Sequence, residues 1–530
     1  MLQFERNRPT SEASQIWSSV WCNGRNHVLR KCRFRNLCYK RDTNDYLFVK
    51  QERKSIESGL PEDRFKPSLC ELSSIEDHNK YYFNYVELPF RHFQTLIANY
   101  NYTLRFVENR TFIFGRFKPD NLMHLLHDDI IPLFATLLEF DLSDNFHLLI
   151  DDQWPSHSDS LLKFSDEIYA KLFRMKSIIF VNELNDKDII CFESAFVGLN
   201  RNTIWYNYGF HEPQKPIYRS PNERESLQNI VHLIFSKLID NYTICAEKYV
   251  TLLSRTSTRL ILNENELLDL LIKSSHLKVL KVNVEDFHSF SELLYKVHCS
   301  SVLIGVHGSA LILSLFMLPN SALVEIFPFG INNDHYTPYK TLAEYMNINY
   351  YFWRNMIKSN SISHPEYPPE LGGIQHLPIS AQSVIKSNTA DVPQHLCCTD
   401  PLWLYHIYQD TFIDTISFKK VLYRVFNKPE ELNNKEVIFY PSAVLNLKCS
   451  RRRIRVDITW DMPWNTVFLP SETKLKFEVL VKFNNDSAAA FYTSTKHMTL
   501  EVIEGDSVII WVRCYADSFK GPFPKEPIYC

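Results

Sequence analysis

A chain of 530 residues is too long for one core, so two to four domains are expected. Its 45% hydrophobic and 22% charged residues are ordinary for a folded protein. A formal net charge of −3 argues against nucleic acid or a membrane surface as a partner held by bulk electrostatics. The aromatics say more: 27 Tyr and 37 Phe stand against 12 Gly. Such a chain builds large cores and can also line sugar-binding clefts.

Residues 1–42 read as a polar stem with a basic stretch, "WCNGRNHVLRKCRFRNLCYK", holding Cys22, Cys32 and Cys38. Zinc sites favour tighter C-x-x-C pairs, so disulfides suit this spacing better. The adjacent Cys397 and Cys398 fit no common zinc pattern either. The first twenty residues lack the apolar core of a signal peptide, and no run approaches the ~18 apolar residues of a membrane span. Read literally, the chain is cytosolic, or its true start lies upstream. Four Asn-x-Ser/Thr sequons, at Asn101, Asn109, Asn241 and Asn485, lean toward the secretory pathway.

From about 112 to 240, apolar strand candidates ("HLLI", "SIIFV") alternate with helical runs, which predicts an α/β domain with a parallel sheet. One helix in it is unusual. "FGRFKPDNLMHLLHDDIIPLF", 114–134, sets Asn121, His124 and Asp128 on one helical face with His127 beside it, among residues that want burial. Three readings compete: a general base tuned by its neighbours, a zinc site, or a polar stripe that satisfies loop backbone. No second ligand cluster stands out, which weakens zinc.

After residue 245 the rhythm sharpens. Strand, helix, strand, helix and strand run through "KYVTLLSR", "ENELLDLLIKSSH", "KVLKVNV", "SFSELLYKVHCS" and "SVLIGV". A helix "SALILSLFML" and a strand "ALVEIF" follow, and the whole predicts a Rossmann-like sheet. Ligands bind such sheets beyond the strand C-termini, which singles out Ser254-Arg255, His307-Gly308 and Glu325. Arg255 can fork onto phosphate, Gly308 admits an anion to a helix start, and Glu325 can accept two ribose hydroxyls. A nucleoside diphosphate would use all three, although no P-loop or G-x-G-x-x-G motif occurs. Each also has a plainer reading, as a surface ion pair, a satisfied core histidine or a loop cap.

"PLWLYHIYQDTFIDTISFKKVLYRVF" then returns to helical periodicity. From about 434 short alternating strands ("EVIFY", "RIRVDITW", "LKFEVLVKF", "HMTLEVI", "SVIIWVRCY") predict a β-sandwich of fibronectin type III kind. Trp460 and the late "WVRCY" are its expected core aromatics.

Several blocks resemble glycosyltransferase family 61: "GRFKPDNLMHLLHDDIIPLF", "LSRTSTRLILNENELL", "VHGSALILSLFMLPNSALVEIFPFGINNDHYTPYKTLA", "WRNM", "GGIQHL" and "HLCCTDPLWLYHIYQDT". The resemblance runs from about Cys22 to Cys530. It implies an α/β fold of GT-B type, with an acceptor-side Rossmann-like half at 43–243 and a UDP-sugar half with return helices at 244–430. A fibronectin type III domain at 434–530 completes the expected organisation. The implied reaction is an inverting transfer of N-acetylglucosamine from UDP-GlcNAc to the 4-hydroxyl of O-linked mannose on a protein such as α-dystroglycan. No metal or other cofactor is implied. The alternatives are another family 61 transfer, such as to EGF-like domains, or a catalytically silent glycan-binding relative.

On the resemblance, Ser254, Arg255, His307, Gly308, Glu325, Lys340 and Asn121 would hold the donor. His124 or Asp128 would be the base, and Arg116 would support the departing UDP. The family also carries an N-terminal anchor in the endoplasmic reticulum membrane, facing the lumen, which the given sequence does not contain.

Overall fold

A computed structural model describes residues 17–51, 68–75, 81–142, 144–155, 162–208, 213–239, 245–427, 441–468, 473–484, 488–517 and 519–530. The chain divides into two compact units, 1–427 and 428–530.

The first unit holds two sheets. Sheet one contains β1 (Ser19–Asn23), β2 (Lys31–Lys40), β3 (Asp45–Lys50), β4 (Val86–Pro89), β5 (Thr103–Phe114), β6 (Phe146–Ile150), β7 (Ser177–Phe180) and β8 (Asp188–Val197). Its order is β4-β3-β2-β8-β5-β6-β7, with β1 on β2. The strands β8, β5, β6 and β7 run parallel, while β2 is antiparallel to β8. The stem expected for 1–42 is therefore, from Ser19 onward, part of this sheet. Phe34, Leu37 and Tyr39 of β2 are fully buried, and that apolar surface draws the strand into the core. Disulfides Cys22–Cys32 and Cys38–Cys191 tie it down.

Sheet two contains β9 (Tyr249–Ser254), β10 (Lys278–Asn283), β11 (Ser300–Val306), β12 (Ala322–Phe327) and β13 (Asn349–Arg354). All five are parallel, in the order β10-β9-β11-β12-β13. Every residue of β12 is buried, as expected of a central parallel strand covered on both faces. The direction of strand addition reverses between β9 and β11, so a crevice opens beyond their C-terminal ends. A continuous apolar core joins the two halves, running from Phe112 and Leu125 to Leu293 and Leu313.

Two helical expectations change. The 114–134 helix is α-helical at Leu122–His124, a π-helix at Leu125–Ile130 and α-helical again at Ile131–Glu139. The "SALILSLFML" segment is a 3-10 helix, Ser309–Phe316. The 401–426 run is two helices, Pro401–Ile407 and Thr415–Phe426, with the two-residue strand Asp410–Thr411 between them.

The second unit packs a three-stranded antiparallel sheet (Leu445–Arg452, Arg455–Asp461, His497–Glu501) on a five-stranded one built around Leu475–Phe483 and Val508–Ala516. Trp460 lies in its core, 5.3 Å from the Phe477 ring. In "WVRCY" the inward residues are Val512 and Cys514, and Trp511 takes the outer face by strand alternation. "EVIFY" lies outside the described residues.

Candidate active site

The 122–139 helix starts at Asn121, whose side-chain oxygen accepts the Met123 N–H at 3.0 Å. Asn121 is therefore a helix cap, the position where an Asn is worth about 1 kcal/mol. One turn on, the helix concentrates its polar groups. Asp128 is fully buried and lies between two imidazoles: His124 Nδ1 is 2.7 Å from one oxygen and His127 Nδ1 2.5 Å from the other. Burial alone would raise this carboxyl. The two imidazoles that flank it, His127 foremost, outweigh burial and hold Asp128 below its ordinary value.

An ionised Asp128 only accepts, so both rings donate from Nδ1. His127 Nε2 in turn accepts the Trp205 N–H at 3.1 Å, which fixes that ring as a structural member. The His124 ring keeps partial exposure, with its edge toward Phe117 and Tyr208. Its Nε2 is thus the one nitrogen of the trio left to take a proton. The neighbouring Asp129 is also fully buried; burial pushes its carboxyl up, and one of its oxygens accepts the Phe117 N–H at 3.0 Å.

Across from this helix, the C-terminal ends of β9 and β11 bring two guanidiniums onto Gly308. A Cβ at Gly308 would stand 3.0 Å from Arg259 Nη1 and 3.3 Å from Arg255 Nη1, so a larger residue there would have to push the two guanidiniums aside. Arg255 donates to the Thr258 carbonyl at 2.7 Å, and Arg259 to the His307 carbonyl at 2.7 Å. Neither has a carboxylate within ion-pair distance among the described residues, and the Nε of Arg259 is buried without a partner. Burial, then the repulsion of Arg259, pulls Arg255 down to about 10. Two such cations side by side define an anion site.

Ser254, Arg255, Glu285, Ser309 and Leu122 line a small cavity of about 80 Å³ there. Leu122 belongs to the helical turn that carries His124, and this turn packs on the Ser309–Phe316 helix beside the cavity. Arg259 was not among the residues singled out from the sequence. Its signal was present in the second Arg of "RTSTR", and its left-handed backbone (φ 56°) is a rare one for arginine.

The remaining expected residues fall elsewhere. Glu325 is fully buried, and its oxygens face His307 Nδ1 and the Tyr350 hydroxyl, each at 2.5 Å. With both oxygens committed, it orients His307 rather than meeting a ribose. Arg116 is buried in a two-pronged pair with Asp152 (both 2.9 Å) and is not free to face a phosphate. Lys340 is half exposed and pairs only loosely with Asp334, at 3.9 Å. Asn101 is exposed in a left-handed turn, and Asn109 is half-buried within β5 with a left-handed backbone, while Asn241 and Asn485 lie outside the described residues. Among the described residues no three or more His, Cys, Asp or Glu side chains are grouped to hold a metal ion, and no helix is long and apolar enough to cross a membrane.

A histidine oriented by a carboxylate can move a proton, and a small crevice lined by cations can hold an anion. The profile of the family described as Glycosyltransferase 61 matches residues 122–324, which begins on the His124 helix and ends in β12. A mouse protein named protein O-linked-mannose beta-1,4-N-acetylglucosaminyltransferase 2 is 36% identical over 523 residues, covering 95% of this chain and 87% of its own. The human protein of that name gives the same figures, and the one from Xenopus laevis is 35% identical over 530 residues, covering 96% and 88%. Among solved structures, a human fibronectin type III domain covers 17% of this chain and 72% of its own at 18% identity, with a TM-score of 0.15. The chain belongs to glycosyltransferase family 61. It is a glycosyltransferase.

Proposed function

We propose that this enzyme transfers N-acetylglucosamine from UDP-GlcNAc to the 4-hydroxyl of O-linked mannose on a protein such as α-dystroglycan, with inversion. The observation that carries the reading is the pair of half-buried guanidiniums at Gly308, together with a histidine on a neighbouring helix whose ring is oriented by a carboxylate. The diphosphate of the donor would supply the missing anion to Arg255 and Arg259. Those two cations then steady the charge that grows on UDP as the glycosidic bond breaks. His307, oriented by Glu325, stands at the same strand end, and Ser254 lines the crevice.

His124 Nε2 takes the proton from the acceptor hydroxyl as its oxygen attacks the anomeric carbon. Asp128 remains ionised and stabilises the imidazolium that forms. Both residues act, but only His124 moves the proton. No resident metal enters these steps. The two sheets of the first unit support a GT-B description, and the two-sheet second unit supports a fibronectin type III description. Five disulfides among the described residues favour an oxidising compartment, consistent with the lumen of the endoplasmic reticulum.

The test is transfer from UDP-GlcNAc to an O-mannosylated peptide by purified protein, with and without EDTA. Transfer is expected to survive chelation. His124→Ala is expected to lower kcat by roughly 10²–10⁴-fold while UDP still binds. A His124→Ala protein with wild-type kcat would remove this residue from the mechanism, and metal-dependent transfer would remove the metal-free scheme.

A further inference from the structure

Beside the His124 helix lies a cavity of about 750 Å³ whose lining includes Tyr81, Phe117, Trp154, Asp151, Lys118 and Asn182. It opens beyond the C-terminal ends of β5, β6 and β7, the edge where parallel sheets bind ligands. None of these residues has a part in the donor crevice.

Its construction says what it offers. The Tyr81 hydroxyl and the Trp154 indole N–H both donate to a single oxygen, the Phe117 carbonyl, each at 3.1 Å. The polar tips of two aromatic residues are thus consumed by the backbone, and what remains for the cavity is ring surface. Gly115 permits this: a Cβ there would stand 2.9 Å from the Tyr81 ring. The loop that carries Trp154 is fixed from behind by Arg116, which grips Asp152 and also reaches the Trp154 and Pro155 carbonyls at 3.2 and 3.3 Å. Asn182 donates to the Trp154 carbonyl at 2.9 Å. An arginine expected to face phosphate is therefore spent on building this wall.

Between the rings stand groups that exchange hydrogen bonds with hydroxyls: the Asp151 carboxyl, which also accepts the Tyr46 hydroxyl at 2.6 Å, and the Lys118 ammonium. Apolar ring faces alternating with donors and acceptors match a pyranose, which has C–H faces and a rim of hydroxyls. The cavity also has an address. The Phe117 ring meets the His124 ring edge-on, with centroids 4.8 Å apart, so a sugar held here comes within reach of the base.

We infer that this aromatic-walled cavity binds the hexopyranose of the acceptor, with Trp154 as its stacking platform. The inference rests on the transfer reaction proposed above. It assigns the acceptor's sugar, rather than its polypeptide, to these residues.

Two measurements on the full chain test it. The first is saturation-transfer NMR with methyl α-D-mannopyranoside; the second is steady-state kinetics with an O-mannosyl peptide. Trp154→Ala is expected to abolish saturation transfer to the mannoside. It is also expected to raise KM for the mannosyl peptide about tenfold or more. The KM for UDP-GlcNAc should not move, which shows that the fold is intact. Trp154→Phe, which keeps a ring, should stay within about threefold of wild type.

Wild-type protein that does not bind the mannoside, or Trp154→Ala with an unchanged acceptor KM, would overturn the assignment. Trp154-dependent mannoside binding by a protein that transfers nothing would uphold the cavity and sink the proposed reaction instead.

Discussion

Arg255 and Arg259 remain charged at neutral pH in surroundings that disfavour the charge, and this has a measurable sign. A cation whose folded pKa lies below its unfolded value destabilises the fold at every pH below that folded value, and for Arg255 the strain lifts only above about 10. Replacing it with an apolar side chain of similar length should relieve the strain. Arg255→Met is expected to raise the melting temperature of the free protein by about 2–4 °C. On the proposed donor, UDP is expected to raise the melting temperature of wild type, and the same change should erase that gain. A variant that melts lower than wild type and still responds to UDP would contradict both halves of the argument.

At this scale the sequence revealed the residue types better than their tasks. His124, Asp128, Arg255 and Gly308 were legible because a polar stripe and strand-end positions mark them. The tasks of Glu325 and Arg116 were not. Whether a buried charge faces a ligand or another side chain depends on residues far away in the chain, here Tyr350 for Glu325 and Asp152 for Arg116.

Among the elements, the helix Phe290–His298 is held by a group that is not its own. Glu167, on the helix Leu162–Leu172, accepts the Phe290 and Ser291 N–H groups at 2.5 and 3.2 Å and the Ser289 and Ser291 hydroxyls at 2.9 and 2.7 Å. It caps a neighbour's N-terminus, where the helix dipole favours an anion. Burial opposes the charge, but these four donors, Ser291 foremost, hold the carboxyl below its ordinary 4.5. Its contribution is therefore complete above pH 4.5 and disappears as pH falls through the lowered folded value. Glu167→Gln should cost about 1 kcal/mol in urea unfolding at pH 7, and the gap to wild type should narrow at pH 3. A gap that widens in acid would assign Glu167 a different task. Four of the five strands of sheet two were readable almost to the residue from their apolar runs, while β13, NYYFWR with polar ends and only Trp353 buried, was not singled out. Sheet one was harder. Strand β2 is rich in arginine and lysine on its outward positions, which disguised it as a stem. The π-helical turn leaves no pattern in the sequence that differs from an α-helix.

For the whole molecule, the second unit has its own core around Trp460 and Phe477 and its own disulfide, Cys449–Cys530. Residues 428–530 expressed alone in an oxidising compartment are expected to unfold in one cooperative step. A fragment without a cooperative transition would show that the unit depends on the rest of the chain. The first unit has no such independence within itself. Strand β2 lies between β3 and β8, and Cys38 is bonded to Cys191, 153 residues later. A ribosome delivers Cys38 long before its partner. While the intervening chain is being made, β2 can pair with β3 but leaves its other edge open, an invitation to foreign strands. The thiol of Cys38 waits through the same interval. Maturation of the His124 half is thus timed by the emergence of residue 191, and a chain halted before that point carries the His124 helix without β8, the strand that joins β2 to β5.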